Sequence, residues 1–303
     1  MEQYPLPDKD YMVLIRCFTY NHEAYIEDAL KGFVMQKTNF PFVAVVVDDA
    51  STDRTADIIR KYEKEYPDII KGVYLKENHY SQKKKKAPYI QPWRDRCKYE
   101  AICEGDDYWI DPLKLQKQVD FLEKHPEYGL ICSEVNAYNE QSKSFNIEYF
   151  KNKKWDIKYT FEDFLINAWF LAPCTWLYRK EFLKNDIAKN NFIVGDLPLL
   201  IEISYKSKIK FLKEVTAIYR IIPKSASHGL NYQQEVKYKK GILQIQLYYI
   251  NKYNRQDLTR KIISRWLLIM AKISYNFHKY NKMLHYLFYY ISHNLQMKTI
   301  KDI

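Results

Sequence analysis

Glycine is scarce in this chain. It accounts for only 7 of the 303 residues, and the polar turn after the first predicted strand, Thr19-Tyr20-Asn21-His22, contains none. Many nucleotide-binding proteins place a glycine-rich loop here, because glycine lets backbone N–H groups surround a phosphate. The sequence therefore argues against a glycine-rich phosphate loop at this turn.

The cysteines lack the spacing of a metal site or a disulfide framework. There are five, an odd number, and no two of them form a CxxC pair. Cys17, Cys103 and Cys132 fall in predicted strands, where a free thiol packs as a small apolar side chain. We therefore expect free thiols and a reducing compartment.

Long apolar stretches are also missing. The longest fully apolar run near the end, Trp266 to Ala271, is far shorter than the roughly 20 residues that a membrane-spanning helix needs. The polar, acidic start from Met1 to Pro5 does not resemble a signal peptide. We expect a cytoplasmic protein, and association with the inner face of a membrane stays open.

Positive charge and tyrosine are abundant instead. Lys and Arg outnumber Asp and Glu by 48 to 37, which gives a formal net charge of +11, and there are 28 tyrosines. Such a surplus suits an anionic partner, which could be nucleotide phosphates, nucleic acid or an anionic membrane face. No RNP, zinc or helix-turn-helix pattern supports nucleic acid. With 47% hydrophobic residues, the chain has enough apolar side chains to fold around a core.

The first part of the chain predicts alternating strands and helices. Three mostly apolar runs are typical of buried parallel strands, namely Met12–Phe18, Phe42–Val47 and Ile70–Leu75. Helical spacing separates them over Glu23–Gln36 and Thr55–Tyr66. This order predicts an α/β fold with a parallel sheet and right-handed crossovers.

The later chain gives a weaker pattern. Residues 76–98 and 139–160 predict irregular segments, and two short strands are expected at Ile209–Leu212 and Val215–Tyr219. Within the first irregular segment, the run Lys83–Lys86 is either a solvated loop or a basic flap that closes on phosphates.

The end of the chain predicts two or three helices. From about Tyr232, apolar residues recur at helical spacing, with Lys and Arg between them. We expect these helices either to pack on the rest of the chain or to rest on a membrane surface, which suits basic helices rich in Tyr and Trp.

An acidic turn, Glu104-Gly105-Asp106-Asp107, is the most informative stretch. It follows a predicted strand and precedes a helix that begins near Pro112. Three neighbouring carboxylates repel one another unless a cation lies between them, and hard oxygen ligands suit Mg²⁺ or Mn²⁺. Ligands in open α/β sheets collect at the carboxyl ends of strands. The turn is therefore a candidate metal site, with a solvated acidic turn as the alternative.

Three blocks of the sequence together resemble glycosyltransferase family 2 on a GT-A fold. They are Val13–Asn21, Val46–Thr55 and Glu104–Trp109, which stand in the family's order and spacing. The resemblance covers roughly residues 10–135 and continues more weakly to about residue 228. It implies a mixed sheet flanked by helices, followed by a C-terminal helical extension.

The resemblance also implies a division of the chain. We expect a GT-A catalytic domain over residues 1–230, with a nucleotide-sugar half at 1–135 and an acceptor half at 136–230. Residues 231–303 would form the helical extension.

Family 2 enzymes bind a nucleoside diphosphate sugar at the strand ends, and the resemblance assigns residues to that donor. The implied nucleotide-sugar contacts are Thr19, Tyr20, Asn21, Asp48, Asp49, Lys86, Asp106 and Arg220. Asp48 would accept a hydrogen bond from the N–H of uracil, whereas a helix-capping turn is the alternative for its block. Asp107 and Asp106 would hold Mn²⁺ or Mg²⁺ against the diphosphate. Glu104 stands where the family's DXD motif usually has Asp.

The resemblance assigns further residues to the reaction itself. Asp196, which opens a predicted helix, matches the position of the catalytic base that removes the proton from the acceptor hydroxyl. Its alternative role is that of a helix N-cap, and Glu202 is a reserve candidate for the base. His228 is either a late metal ligand or a solvated loop histidine.

Trp176 and Tyr178 are candidates for the acceptor side. Flat aromatic faces suit sugar rings, so these two side chains would line the acceptor site, and a place in the core is the alternative for Trp176.

These features predict a metal-dependent inverting glycosyltransferase. It would transfer a sugar from a nucleotide sugar, usually a UDP-sugar in this family, to a saccharide or lipid-linked acceptor in surface polysaccharide assembly. One alternative is a nucleotidyltransferase that makes sugar nucleotides, which the glycine-free turn disfavours. The other is a non-catalytic basic module for nucleic acid or anionic lipid, which the acidic clusters in the sheet half disfavour.

Overall fold

A computed structural model describes residues 5–153, 156–182, 192–223 and 230–301 of the chain, with backbone alone for the last seven of these. His228 lies outside the described residues, and so does the prediction that it binds a metal.

The described residues form one mixed sheet. Its strands are β1 (Tyr11–Thr19), β2 (Phe42–Asp48), β3 (Ile70–Tyr74), β4 (Cys97–Ile102), β5 (Tyr108–Trp109), β6 (Tyr128–Asn139), β7 (Ser144–Asn146), β8 (Leu177–Arg179) and β9 (Lys208–Ile221). Their order is β3-β2-β1-β4-β8-β6-β9-β5, and β7 pairs with β6 beside this row. Strands β1 to β4 are parallel, β8 and β5 are antiparallel to their neighbours, and β6 and β9 are parallel. The mixed sheet that the resemblance implied is confirmed.

Ten helices accompany this sheet in the described part of the chain. They are α1 (Ile26–Val34), α2 (Thr55–Glu65), α3 (Ala87–Asp95), α4 (Lys114–Lys124), α5 (Tyr149–Lys153), α6 (Phe161–Asn167), α7 (Asp196–Lys206), α8 (Tyr232–Lys252), α9 (Thr259–Asn276) and α10 (Tyr280–Lys301). The helical C-terminus predicted from about Tyr232 is therefore present as three helices. No helix in the described residues is long and apolar enough to cross a membrane.

Contacts group these elements into two compact units. The sheet and helices α1 to α5 form the first, and helices α6 to α10 form the second. The predicted division at residue 230 assigns α6 and α7 to the sheet, whereas their contacts group them with the C-terminal helices. Gln246 of α8 shows why, because its side-chain amide donates to the carbonyl oxygens of Leu165 and Ile166 at 2.7 and 3.1 Å. The boundary near residue 230 stays a prediction.

Strand β1 lies at the centre of the parallel half of the sheet. Its apolar side chains Val13 to Ile15 and those of Val43 to Val47 on β2 are fully buried, as the continuous apolar runs predicted. Strand β2 lies on one side of β1 and β4 on the other. The strands that follow β1 in sequence therefore lie on both sides of it. The carboxyl end of β1 is a topological switch point, where ligands bind in folds of this kind.

Two segments differ from the sequence predictions. Strand β9 is one continuous strand, not two. A bulge at Lys213 and Glu214 lies between the positions that pair with β6. Both charged side chains are exposed, which is why the strand pattern breaks there. Helix α3 forms within a segment predicted to be irregular. Pro88 sits in its first turn, where no N–H is needed, and the helix buries Ile90 and Trp93.

A buried ion-pair cluster ties β1, α3 and β4 together. Glu100 is fully buried, and its carboxylate accepts from Arg94 Nε at 2.6 Å and Nη2 at 3.0 Å. Arg16 Nε lies 3.2 Å from the same carboxylate. Two guanidinium groups thus share one buried acid, and Arg94 has no other carboxylate partner among the described residues.

We expect Glu100→Ala to lower the free energy of unfolding by about 3–5 kcal/mol, because it breaks a buried ion pair and leaves the half-buried Arg94 guanidinium without its carboxylate. Urea unfolding followed by tryptophan fluorescence measures this loss. Asp57→Asn is the matched control, since Asp57 pairs with Arg60 on an exposed helix surface and such pairs contribute about 0–1 kcal/mol. Equal losses in the two variants would show that the cluster does not stabilise the sheet.

Candidate active site

The candidate site lies at the sheet edge where β1, β2 and β4 end. The pairing of β1 with β2 places Thr19 beside Asp48, and both residues are buried. Tyr20, the next residue, is 42% exposed and lies at the surface of this edge. Asn21 has a left-handed backbone (φ 53°), and its side-chain oxygen accepts from the N–H of Thr52 at 2.8 Å. The structure therefore brings together the first two sequence blocks that were predicted to bind a nucleotide.

Asp48 has a short local network. Its carboxylate accepts hydrogen bonds from the hydroxyl and the backbone N–H of Ser51. Burial raises the pKa of this carboxyl above its usual value, and the Ser51 hydrogen bonds oppose that rise. The side chain is fixed at the end of β2, where it is a ready hydrogen-bond acceptor.

Asp49 and Lys86 contact each other. The Asp49 carboxylate is fully buried and accepts from the backbone N–H groups of His79 and Tyr80 at 2.7 and 3.1 Å. Lys86 Nζ donates to the same carboxylate at 3.0 Å. These bonds hold the segment from His79 to Lys86 against the end of β2. That Asp49 and Lys86 touch a nucleotide stays a prediction, but in this structure they bind each other.

Two of the three carboxylates in the acidic turn are held by backbone N–H groups. Glu104 Oε2 accepts from the N–H of Phe18 at 2.6 Å, and Arg16 lies 3.3 Å from its other oxygen. Asp107 Oδ1 accepts from the N–H of Arg220 at 2.8 Å, and its carboxyl group also meets the Cys174 thiol. Asp107 is buried, and burial raises the pKa of its carboxyl well above the usual value. Glu104 and Asp107 therefore fasten the turn to β1 and to β9.

Asp106 differs from these two neighbours. It is partly exposed, and no hydrogen bond to its carboxylate occurs within the described residues. Its backbone carbonyl accepts from Arg220 Nη1 at 3.0 Å, which fixes the main chain and leaves the side chain available. Of the acids in this turn, Asp106 is the one whose carboxylate accepts no hydrogen bond from the described residues.

A small cradle lies beside Asp106. A Cβ atom on Gly105 would lie 2.5 Å from Thr19 Oγ1 and 3.0 Å from His22 Nδ1, so only glycine fits. Both of these polar atoms are buried and have no hydrogen-bond partner among the residues that the structure describes. Buried polar groups normally have partners, so two unsatisfied atoms at one spot indicate a missing ligand or water. Sequence reasoning placed His22 only in a polar turn and missed it, because its neighbour Gly105 is distant in sequence.

Arg220 is placed differently from the sequence expectation. Its guanidinium binds Asp28, lies 3.2 Å from Glu140, and packs against the rings of Tyr25 and Tyr108. It is also largely buried. A diphosphate would have to compete with two carboxylates for this side chain. The contacts favour a supporting role for Arg220 beneath the acidic turn, and its predicted contact with the nucleotide stays a prediction.

The candidate base belongs to the helical unit. Asp196 is the first residue of α7, and its carboxylate accepts from the N–H of Leu197 at 2.8 Å. Burial raises the pKa of this carboxyl above its usual value. Glu202, the reserve candidate, is buried and held by Lys252 and by Tyr253 Oη at 2.7 Å. Its partners indicate a structural role.

Trp176 and Tyr178 were candidates for the acceptor site. Both are fully buried, so the structure places them in the core.

The donor atoms at the site suit a shared cation better than a protein-only metal centre. Within the described residues, no three His, Cys, Asp or Glu side chains are grouped so that they alone could hold a metal ion. Asp106 supplies one free carboxylate, and His22 supplies a free ring nitrogen near it. Burial lowers the pKa of His22, which favours the neutral ring. Mg²⁺ is often bound by one or two carboxylates plus substrate phosphates, so these residues fit a cation that arrives with a diphosphate.

A buried lysine packs against Trp109, close to the acidic turn. Lys114 Nζ is fully buried, lies 4.2 Å from the centre of the Trp109 ring, and donates to Gln118 Oε1 at 2.8 Å. Trp109 in turn donates to the carbonyl of Cys174 at 2.6 Å. Burial lowers the pKa of Lys114 to about 7. The lysine thus packs against Trp109 in β5, the strand that follows the acidic turn.

Comparison with known proteins identifies a matching family and several similar proteins. Residues 17–186 match the sequence model of the family described as glycosyl transferase family 2. An uncharacterised protein of Mycobacterium tuberculosis is 34% identical over 203 residues, which are 67% of this chain and 56% of that protein. The chain thus spans little more than half the length of this relative. A Bacillus subtilis protein provisionally named as the teichuronic acid biosynthesis glycosyltransferase TuaG is 35% identical over 34% of this chain and 39% of its own.

Solved structures share the fold. Staphylococcus aureus TarS, residues 1–349, in complex with UDP-GlcNAc, aligns with a TM-score of 0.54 and 18% identity over 91% of this chain and 89% of that one. A mannosyltransferase from Pyrobaculum calidifontis in complex with GDP-Man and Mn²⁺ aligns with a TM-score of 0.50 and 15% identity over 97% and 90%. These likenesses confirm the predicted GT-A fold.

We expect the stability of the protein to rise with pH above about 7, through Lys114. In the folded chain its pKa is about 7, whereas in the unfolded chain it is about 10.4. Between these values the unfolded state binds more protons, so a higher pH favours folding by up to about 1.4 kcal/mol per pH unit. Urea unfolding from about pH 6 to pH 9.5 measures this slope.

Lys114→Met is the comparison that isolates this slope. Because methionine does not titrate, the difference in stability between wild type and variant should change steadily in favour of the wild type as the pH rises. Parallel stability curves for the two proteins would show that the pKa of Lys114 is the same in the folded and the unfolded chain.

Proposed function

Because the chain belongs to glycosyl transferase family 2, we propose that it transfers a sugar from a nucleoside diphosphate sugar to the hydroxyl group of an acceptor. One observation carries this proposal. The buried acceptor Asp48, the free carboxylate of Asp106 and the unsatisfied atoms of Thr19 and His22 converge on the edge where β1, β2 and β4 end. A nucleotide base and a diphosphate need these two kinds of group side by side.

The base would lie at the end of β2. Asp48 is a fixed, buried acceptor, and the N–H of uracil is a donor that matches it. Tyr20 is exposed next to this point and offers a flat surface to the ring. TarS, which shares the fold, was solved in complex with a UDP-sugar, and this supports the same choice here. We therefore propose a UDP-sugar as donor.

The diphosphate would lie over Gly105. The absence of a side chain there lets Thr19 Oγ1 and His22 Nδ1 pack directly against the turn, and Thr19 Oγ1 would donate to a phosphate oxygen. Asp106, with His22 near it, would hold Mn²⁺ or Mg²⁺ against the phosphates, and the ion would offset the charge that develops on the departing diphosphate. The sequence expectation gave this role to Asp107 and Asp106 together, and the buried hydrogen bond that Asp107 accepts favours Asp106 as the ligand.

The acceptor hydroxyl requires a base. We propose Asp196, whose raised pKa brings it closer to neutral pH, where a general base works best. The acceptor oxygen forms a bond to the anomeric carbon as the bond from that carbon to the diphosphate oxygen breaks. The hydroxyl proton passes to Asp196, and the nucleoside diphosphate leaves with the electron pair. A single displacement of this kind inverts the anomeric configuration.

The cellular role is part of the same proposal. The provisional name of TuaG supports surface polysaccharide assembly, with a saccharide or lipid-linked acceptor. We place the reaction in the cytoplasm. Membership of this family also argues against the alternative that the chain is a nucleotidyltransferase.

We expect Asp48→Ala and Asp106→Asn to weaken UDP binding in different ways, measured by isothermal titration with and without Mn²⁺. Asp48→Ala removes a charged hydrogen-bond acceptor and should weaken binding about tenfold or more under both conditions. Asp106→Asn should abolish only the gain that Mn²⁺ brings. Asp107→Asn should keep that gain, because an amide oxygen can still accept from the N–H of Arg220.

Asp57→Asn, on the exposed face of α2, is the control for the loss of one carboxylate. If Asp107→Asn loses the Mn²⁺ effect and Asp106→Asn retains it, the assignment of the two acids is reversed. If UDP does not bind the wild type with Mn²⁺ present, the proposed function fails.

We expect Asp196→Asn to lower turnover about a hundredfold or more, because general base catalysis contributes about 10²–10⁴-fold. The affinity for UDP should stay unchanged. A screen of nucleotide sugars and acceptors that follows UDP release measures turnover. In the wild type, the rate should rise with pH through an apparent pKa above that of an ordinary aspartate, and the variant should lose this limb. Retained turnover in Asp196→Asn would exclude it as the base.

A further inference from the structure

The C-terminal helices carry an exposed apolar band. On α9 it includes Leu268 and Tyr275, which are 43% and 59% exposed. On α10, Leu284, Phe288 and Ile291 are 59%, 66% and 54% exposed. Their spacing of seven, four and three residues keeps each set on one face of its helix. A single exposed apolar residue is ordinary, but a row along two helices is typical of a binding surface.

The two halves of the band are joined at the turn between the helices. Tyr280, at the start of α10, is 50% exposed, and its ring centre lies 6.2 Å from that of Tyr275 at the end of α9. Aromatic rings with a polar hydroxyl are enriched where apolar and aqueous phases meet. The band therefore includes side chains suited to an interface between lipid and water.

The two helices that carry this band contain charge of one sign only. Residues 259–301 contain eight Lys and Arg residues and no Asp or Glu. Lys261, Lys272 and Lys279 are exposed, and none of them has an ion-pair partner among the described residues. Lysines flanking an apolar helix face are typical of helices that lie in the plane of an anionic membrane surface.

A basic groove lies in the same helical unit. Its volume is about 480 Å³, and Lys237, Lys240 and Lys282 line it together with Tyr232. Lys282 Nζ lies 5.3 Å from the centre of the Tyr232 ring, and no carboxylate lines the groove. Three lysines around one hollow favour a phosphate group, which is the charged part of a phospholipid.

We propose that helices α8 to α10 dock on an anionic phospholipid bilayer, with the apolar band in the interface and the lysines on lipid phosphates. A second copy of this chain is a poorer occupant, because a symmetric contact would set the same basic surface against itself. Nucleic acid would use the lysines and leave the apolar band without a partner. The proposal goes beyond sugar transfer and does not depend on it.

The test is sedimentation of the full chain with two kinds of vesicle. One is phosphatidylcholine alone, and the other contains about 30% phosphatidylglycerol, whose negative charge attracts basic segments. We expect binding to the anionic vesicles that is at least about tenfold tighter and that weakens in about 0.5 M salt. The helices should also protect their backbone amides from hydrogen exchange when bound.

Two double variants separate the apolar and the basic contributions. Leu284→Glu with Phe288→Glu should lower binding at least about tenfold, since it places charges in the apolar band. Lys237→Glu with Lys240→Glu should lower binding to anionic vesicles only. The matched controls are Phe145→Glu with Ile147→Glu, which changes two equally exposed apolar residues of the first unit, and Lys61→Glu with Lys64→Glu on α2. Circular dichroism verifies that each variant is folded.

Three outcomes would overturn the proposal. The wild type fails to sediment with anionic vesicles, the band variant binds as tightly as the wild type, or the controls lose as much binding as the test variants. A dimer in light scattering that Leu284→Glu with Phe288→Glu makes monomeric, without vesicle binding, would assign the band to a second copy. Titration with UDP and Mn²⁺ reports on the donor site separately, so failure here leaves the proposed transferase in place.

Discussion

Three carboxylates on one four-residue turn set the constraint on which the candidate site depends. Placed side by side they repel, and two of them are removed from competition by backbone N–H groups of distant strands. Glu104 accepts from Phe18 on β1, and Asp107 accepts from Arg220 on β9. Because these bonds fasten both ends of the turn, Asp106 is left with a free side chain at a fixed position. Preorganisation of this kind lets a site bind a cation and phosphates without first reordering itself.

At the end of β2, too, one carboxylate is engaged by groups of the protein and its neighbour has few partners. The Asp49 carboxylate accepts hydrogen bonds from His79, Tyr80 and Lys86. Its neighbour Asp48 accepts from Ser51 alone among the described residues. In both acidic blocks a buried carboxylate organises the loop, and the adjacent one is the residue that we propose for the ligand. Acidic motifs of this type therefore contain more acids than ligands, and mutations at the holding residues would disturb loop order before ligand affinity.

Sequence predicted the parts of this arrangement that depend on local pattern. Buried parallel strands appear as continuous apolar runs, so β1 to β3 were predictable, and so were the acidic turns that follow predicted strands at the ends of β2 and β4. The roles of Asp107 and Arg220 were not, because they follow from contacts between residues more than a hundred positions apart. Helix α3 was missed since Pro88 and Pro92 suggest irregular structure, and β9 was divided in two because its bulge exposes two charged residues. His22 was missed for a related reason, as only the fold sets Gly105 against its ring.

The surplus of positive residues is concentrated in one part of the chain. The formal charge of +11 is not spread evenly, since residues 259–301 alone hold eight basic residues and no acidic ones. At the candidate site, Arg16, Lys86 and Arg220 are each engaged by carboxylates of the same chain. A nucleotide therefore does not account for the surplus. The unpaired lysines border exposed Leu, Phe and Tyr side chains on α9 and α10, and apolar surface combined with unpaired positive charge matches a lipid bilayer better than a free polyanion. The net positive charge of the chain is thus concentrated in its C-terminal helices, and it relates to the bilayer contact that we propose more than to the candidate site.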